Sequence, residues 1–511
     1  VRSGVAAIAF VVMLWPQAGA DPPVPFLIDE VAREANGDVT LHWTAETNGY
    51  GNLFFTVEGK DSLAAPFATL SPPIPDTGEF SFTDGTFNSS EKAFYNVAAE
   101  TAYTDLDEPG AFRARAAGEV GGMSTVGYAG AIFDGRYVYF VPSKDQAGLH
   151  GHVMRLDTHG DFDAPESWMA YDAATTGEGG ATGYLGGTFD GRYVYFAPQG
   201  GPVHGKVLRH DTSGDFLSSA SWSMHDAGAT DGMTARGFQG AVFDGRHVYF
   251  VPHNNGVGSG WNGIVLRYDT RALFEEPASW EAWDAGSTGG QSTKGYSSAV
   301  FDGRHVYFIP NFDGARHGRV LRFDTFGEFK TKSSWTVYDA GHTDGLDTTG
   351  YKGGIFDGRY VYFVPYVPPS SGHCNVLRYD TTGDFADSSS WDAFNASRTD
   401  GLATEGYHGA AFDGRRVIFV PYQGASFHGR VLAYDVAGEF ESTRSWSALD
   451  AAVTDGLATQ GYVGAAFDGR YVYFAPYRLP GGAAPFHGNV LRFDARLPRE
   501  LPPTTQGGST L

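Results

Sequence analysis

Five histidines, His150, His204, His317, His373 and His428, each stand 22 residues before an acid or amide, at Asp172, Asp226, Asp339, Asn395 and Asp450. Asn262 precedes Asp284 by the same distance, and His487 takes the histidine position once more near the end. An imidazole held by a carboxylate is the usual general base, and sets of histidines ligate metals. Chemistry of that kind is needed once, and the ligands of one metal must converge. Evenly spaced copies predict scaffold instead, a repeated His–Asp hydrogen bond between adjacent antiparallel strands. His150 and His152 are spaced to chelate from a single strand face, but the overall expectation is no metal and no cofactor. Arg136, Arg192, Arg246, Arg304, Arg359, Arg415 and Arg470 recur against Asp157, Asp211, Asp269, Asp324, Asp380, Asp435 and Asp494 in the same regular way. These predict seven structural ion pairs.

Function is expected where the copies differ. One varying column holds Val126, Thr182, Arg236, Lys294, Thr349, Glu405 and Gln460; a second holds Ala129, Leu185, Gln239, Ser297, Lys352, His408 and Val463. Arg236, Gln239, Lys294, Lys352, Glu405 and His408 form an arc through consecutive copies. Segments of variable length carry Trp261, Phe312, Tyr366, Tyr422, Phe427, Tyr477 and Phe486 beside Asn254, Asn255, Asn311, Asp313 and Gln423. Aromatic faces among amides and acids suit sugar rings, whose C–H faces stack while their hydroxyls hydrogen-bond.

Two functions follow from these residues. The favoured one is non-catalytic binding of carbohydrate or a cell-surface ligand by the six arc residues with Trp261, Tyr366, Tyr422 and Tyr477. The alternative is a polysaccharide-active enzyme, a lyase on acidic polysaccharide. There Arg236 or Lys352 would neutralise a uronate carboxylate while His408 or Tyr422 removes a proton.

The elements that must position these residues are set by a repeat. Phe-Asp-Gly-Arg begins at Phe133, Phe189, Phe243, Phe301, Phe356, Phe412 and Phe467, at intervals of 54 to 58 residues. Such a period marks stacked supersecondary units that cannot bury their apolar faces alone. Each copy divides into four strands, for instance Tyr407 to Phe412, Arg415 to Val420, Arg430 to Asp435 and Trp446 to Asp450, here named a to d. Asp-Gly between apolar runs reads as the two-residue hairpin turn joining a to b. Strand a carries a small pair such as Gly130-Ala131 or Gly353-Gly354 in every copy, as expected where inner strands converge on an axis. From the histidine column to the next Phe-Asp-Gly-Arg the count is always 39, whereas from Phe-Asp-Gly-Arg to the histidine it runs from 15 to 20. The b-to-c loops therefore hold the length variation, and such loops on a rigid scaffold are where binding residues gather.

Seven four-stranded units predict an all-β, seven-bladed β-propeller over residues 111–497. Six tryptophans, Trp168 through Trp446, each lie 21 residues before a Phe-Asp-Gly-Arg, and Phe112 does the same before the first. No tryptophan follows the last strand c, so Ala111 to Ala117 is expected to complete the last blade as its strand d. Strand b ending Tyr-Val-Tyr-Phe, strand c reading Val-Leu-Arg-Tyr-Asp and the following Trp together resemble the kelch family of propellers. Kelch blades carry a Gly-Gly pair after strand b, where this chain has Val-Pro or a close variant. That resemblance implies a propeller used either as a binding scaffold or as an enzyme.

Residues 1–20 read as an export signal, with Arg2, an apolar run from Val5 to Trp15 and Ala18-Gly19-Ala20 as a cleavage site. That run is too short to span a bilayer. The expected location is secreted, cell-surface or periplasmic. Residues 23–102 alternate as half-buried strands in a small β-sandwich. Gly37 to Trp43, Phe55 to Glu58 and Phe94 to Val97 resemble fibronectin type III-like modules, which implies a spacer or adhesive role. Residues 498–511 read as a disordered tail. The formal charge of −23 disfavours nucleic acid and acidic membrane as partners, and a monomer is expected. Cys374 is the single cysteine, so packing rather than a disulfide must hold the fold.

Overall fold

The computed structural model describes residues 103–495, apart from 178–179, 181, 367–373 and 482–485, together with strand segments between 26 and 101. The signal (1–20) and tail (498–511) expectations lie outside the described residues. Two units are distinguished. In the first, Phe26–Arg33, Val39–Ala45 and Glu79–Asp84 form one antiparallel sheet, and Leu53–Lys60 pairs with Ala68–Thr69, Ile74–Pro75 and Phe94–Thr101 in another.

The second unit is a seven-bladed β-propeller of four-stranded antiparallel blades. Blade 1 comprises Tyr128–Phe133, Tyr137–Pro142, His152–Asp157 and Trp168–Asp172 as strands a to d. Blades 2 to 6 repeat this order over 184–226, 238–284, 296–339, 351–395 and 407–450. Blade 7 takes its strands a to c from Tyr462–Phe467, Tyr471–Pro476 and Asn489–Asp494, and its strand d from Phe112–Ala116. Asn489 faces Ala116 and Phe493 faces Phe112, so the expected clasp closes the ring.

The inner strands meet through their small residues. A Cβ added at Gly353 would lie 2.8 Å from the Gly409 Cα, one at Gly409 2.9 Å from Gly464, and one at Gly464 3.0 Å from Gly130. In six blades strand a also shifts register just before the second residue of the small pair, as between Tyr128 and Ala131, where Gly130 has a φ of +132°. Glycine serves both the close approach and this bulge. Blade 4 has Ser298, which pairs directly with Ile309.

The turn between a and b sits one residue further on than expected. Asp134 N donates to Tyr137 O at 3.1 Å, which makes Gly135 and Arg136 the two central residues. Gly135 has a φ of +101°, at the position where a type II′ turn places glycine. The reason lies in the aspartate. Its carboxylate accepts the Arg136 and Tyr137 N–H groups at 2.8 and 2.6 Å and the Tyr139 hydroxyl at 2.9 Å, and so cannot occupy the turn itself. Six of the expected ion pairs join Arg136, Arg192, Arg246, Arg304, Arg359 and Arg415 to the aspartates closing strand c, at 2.6 to 2.8 Å. Their arginines are about half exposed, so each pair contributes little.

Packing between blades comes from three aromatic columns. In blades 1 to 6 strand d opens on a buried Trp whose Nε1 donates to the carbonyl of a Phe six residues earlier, as Trp168 does to Phe162 at 2.9 Å. This folded loop is one reason the spacing through strands c and d is constant. The Trp then stacks on the preceding blade, Tyr171 on Trp222 at 4.8 Å and Phe394 on Trp446 at 5.0 Å. Strand-c arginines cover the same seam, Arg155 lying 4.0 Å from the Tyr137 ring and 4.3 Å from Phe216 of the next blade. Among the described residues no helix is long and apolar enough to cross a membrane.

Candidate functional site

The strand-c histidines are scaffold, but their partner differs from expectation. His150 Nε2 meets the Val126 carbonyl at 2.9 Å, and His204, His317 and His428 meet those of Thr182, Lys294 and Glu405 at 3.1, 2.9 and 2.6 Å. Their Nδ1 atoms accept a backbone N–H two residues on. Asp172 and its counterparts instead accept the N–H two residues beyond the end of strand d, as Ala174 N donates to Asp172 at 2.9 Å. Geometry explains the change: each strand end turns back on itself, and the nearest unpaired group is a main-chain amide or carbonyl. His373 lies outside the described residues. Both nitrogens of His150 are engaged and His152 Nδ1 meets the Ser124 carbonyl, so the two form no chelate. Among the described residues there is no cluster of three or more metal-ligating side chains.

Burial holds His317, His428 and His487 down to about 4, and His150 and His204 also below the ordinary value. They stay neutral when folded and take up protons when unfolded. Stability is therefore expected to fall as pH drops from about 6.5 to 4 and to level off below, by on the order of 3 kcal/mol for each fully shifted histidine. Asn262 replaces the histidine in blade 3 and accepts the Ile264 N–H at 3.0 Å. A His428→Asn variant should thus stay folded and show a shallower acid slope in urea unfolding; an unchanged slope would remove the histidine account.

At the axial mouth on this face, two columns converge. The second varying column of strand a supplies Ala129, Leu185, Gln239, Ser297, Lys352, His408 and Val463. The residue after each strand-b proline supplies Ser143, Gln199, His253, Asn311, Tyr366, Tyr422 and Tyr477. These latter residues reach toward the next inner strand: His253 Nδ1 meets the Tyr296 carbonyl at 3.0 Å, and Asn311 Nδ2 donates to the Tyr351 carbonyl at 2.9 Å. Lys352 Nζ crosses from blade 5 to blade 3 and donates to Gln239 Oε1 at 3.0 Å. His408 lies edge-on to Tyr422 at 5.5 Å and 6.3 Å from Tyr366, and Tyr422 continues to Tyr477 at 6.2 Å. Blades 3, 5 and 6 thus bring polar side chains from strand a to the mouth, while strand a of blades 1, 2 and 7 brings the apolar Ala129, Leu185 and Val463.

Of the ten residues proposed from sequence, Gln239, Lys352, His408, Tyr366, Tyr422 and Tyr477 come together here. Arg236 and Lys294 do not. Their side chains lie against Gly228 and Gly286 at the ends of strands d, within 3.0 and 3.1 Å of where a Cβ would stand. Glu405, in the same column, offers its carbonyl to His428. Trp261 packs between loops, 4.9 Å from His253 and 5.1 Å from Phe312. His253 was not singled out by sequence reasoning, although alignment on the strand-b proline reveals its column. A cavity of about 380 Å³ across blades 1 to 3 is lined by Leu149, Leu185, Gln199, Val203 and Asn254; Leu185 and Asn254 lie in the variable positions read from sequence, whereas Leu149, Gln199 and Val203 were not singled out.

Desolvation governs the electrostatics of the mouth. Lys352 is brought down to about 8 by burial. His408 and His253 are brought down to about 3, by burial first and the Lys352 ammonium second. Burial pushes the Tyr422 and Tyr366 phenols up. Burial raises the Tyr477 phenol as well, so the two columns present one ammonium, two neutral imidazoles and three neutral phenols, with the Arg478 guanidinium 5.9 Å from the Tyr477 ring.

No family model and no curated protein matches the chain. Among solved structures, an alpha-L-arabinofuranosidase from Lactobacillus brevis aligns over 53% of this chain and 90% of its own at 10% identity, with a TM-score of 0.28. A tetra-tandem repeat from the extending region of a large adhesion protein aligns over 92% and 98% at 10% identity, with a TM-score of 0.10. Likenesses this distant carry no argument about function.

Proposed function

We propose that this chain is a binding module of an exported protein, taking carbohydrate or another surface ligand at the axial mouth. The N-terminal residues 23–102 act in this reading as a fibronectin type III-like spacer. The observation that carries the proposal is the aromatic arc. Tyr366, Tyr422 and Tyr477 stand half-buried on three consecutive blades, with ring centroids 6.0 and 6.2 Å apart, next to the hydrogen-bonding groups of Gln239, Lys352 and His408. Flat rings at that spacing suit successive sugar faces. Proton abstraction is less well supported. A histidine held at about 3 is a weak base at neutral pH, and a phenol pushed up by burial is neutral and slow to lose its proton.

A polysaccharide panel, followed for both binding and the ultraviolet absorbance of unsaturated uronate products, separates the two readings. Binding without product is expected, and product formation would replace the binding reading by the lyase.

A further inference from the structure

We propose that the axial mouth is a carboxylate receptor in which the Lys352 ammonium takes the acid group of a uronate-bearing glycan. This deepens the binding function proposed above and rests on it. The fourteen residues of the two converging columns include one lysine, two histidines and no Asp or Glu, in a chain whose formal charge is −23. An acidic protein has here kept carboxylates away from a single cation. Lys352 has no salt bridge among the described residues, and its one hydrogen bond goes to a neutral amide. An ammonium has three N–H groups, so further donors remain for a ligand oxygen.

Burying an ammonium without a counter-ion costs free energy. A scaffold that needed only a filled axis could use an apolar residue there, as it does with Leu185 and Val463. Two neighbours on this face share a backbone acceptor: the Ser297 hydroxyl and the Asn311 amide both donate to the Tyr351 carbonyl, at 2.8 and 2.9 Å. The charge of Lys352 has no such partner. An arriving carboxylate would supply it, and Tyr366 and Tyr422 would flank the sugar ring that carries the acid.

Titration offers an independent readout. The titratable groups around Lys352 are His253 from blade 3, His408 from blade 6 and Tyr366 from its own blade, with Arg316 beside Gly350. The histidines and tyrosines are uncharged near neutrality, so the ammonium is the group that changes. It is charged below about 8 and neutral above, whereas a uronate carboxylate is anionic throughout that range. Affinity should fall as pH rises through 8.

The test uses the full chain and a set of uronate polymers (galacturonate, glucuronate, mannuronate-guluronate), each beside its methyl ester, with polyglutamate as a carboxylate lacking sugar. The acid form of at least one polymer should bind about tenfold or more tightly than its ester. Lys352→Gln should lose that preference, while Lys352→Arg should keep it up to pH 9, with thermal unfolding of both variants matching the parent. Equal binding of acid and ester, or unchanged affinity in Lys352→Gln, overturns the carboxylate site and leaves the glycan function standing. Polyglutamate bound through Lys352 with no uronate polymer bound overturns the glycan function and keeps the carboxylate site. Binding of none overturns both.

Discussion

Replacing Arg416 by leucine is expected to cost about 3–5 kcal/mol of stability at pH 7, the usual consequence of leaving one member of a buried ion pair alone. Asp413 is 0% exposed and Arg416 6%. The guanidinium donates to Asp413 Oδ2 through two nitrogens, at 2.9 and 2.7 Å. In the other blades the matching aspartate is met by a tyrosine hydroxyl, as Asp190 is by Tyr195 at 2.7 Å. Blade 6 has Ile418 at that position. Across the ladder from Ile418 stands Ala433, where other blades have the arginine that covers the seam. Three changes are thus coupled: tyrosine and arginine are lost from one cross-strand pair, and an arginine is gained two residues before the isoleucine.

The leucine variant takes both guanidinium bonds from a fully buried carboxylate, whose desolvation is then no longer offset by its ion-pair partner. The deficit relative to the parent is read by urea unfolding at pH 7. Adding Ile418→Tyr should recover part of it by restoring a hydroxyl donor, and the triple change Arg416→Tyr, Ile418→Tyr, Ala433→Arg should recover most. A deficit below about 1 kcal/mol, within the range of ordinary substitutions, would show that the pair is not what holds this turn.

Blade 6 also shows what a single sequence can and cannot disclose. Period, strand order and the clasp were readable because each rests on covalent spacing: 21 residues from Trp168 to Phe189 is a length, and lengths survive folding. Hydrogen-bond partners were less readable. The histidines were expected to meet aspartates across strands c and d, yet they meet carbonyls beside strand a. Side chains at strand ends choose among several nearby backbone groups, and the choice depends on loop geometry that residue counts do not contain. The turn register failed for the same reason, since an aspartate that caps main-chain amides looks identical in sequence to one that forms the turn.

The site was partly legible. Variation within a repeat pointed to the strand-a column, and Gln239, Lys352 and His408 do converge. The neighbouring column with Arg236 and Lys294 varies just as much but lies at the radius of strands c and d, a distance from the axis that variation alone does not encode. His253 escaped notice because nothing local marks it; its place depends on Pro252 ending strand b and turning the chain inward.

The second large effect concerns closure. A chain beginning at residue 118 should lose on the order of 5 kcal/mol relative to one beginning at 103, from about five ladder hydrogen bonds near 1 kcal/mol each. Side-chain contacts of the clasp add to that. Phe112 packs on Phe493 at 4.8 Å. The Ala114 N–H donates to Asp455 at 2.9 Å, as Ala448 N does to Asp400 and Ala393 N to Asp344 in earlier blades at 2.8 Å. These aspartates hold left-handed φ values of about +50°, a strained conformation that the bond across the blade seam offsets. Arg113 bridges Asp455 of the connection before blade 7 and Asp163 of blade 1, at 3.0 and 2.8 Å. Arg115 lies 5.5 Å from the Trp168 ring, where blades 1, 2, 4 and 5 stack a ring on the tryptophan of the next blade. Removing the strand also bares the edge of Asn489–Asp494, which would then pair with other copies of the chain. The shorter chain is therefore expected to unfold at lower urea and to elute as concentration-dependent oligomers. A permuted chain carrying residues 111–117 after 495 on a linker of the length that joins Asp157 to Trp168 should recover both the stability and the elution volume of the longer chain. Equal stability of the chains starting at 103 and 118 would mean that the clasp strand Phe112–Ala116 contributes nothing to closure, and that the inner strands alone hold blade 7 to blade 1.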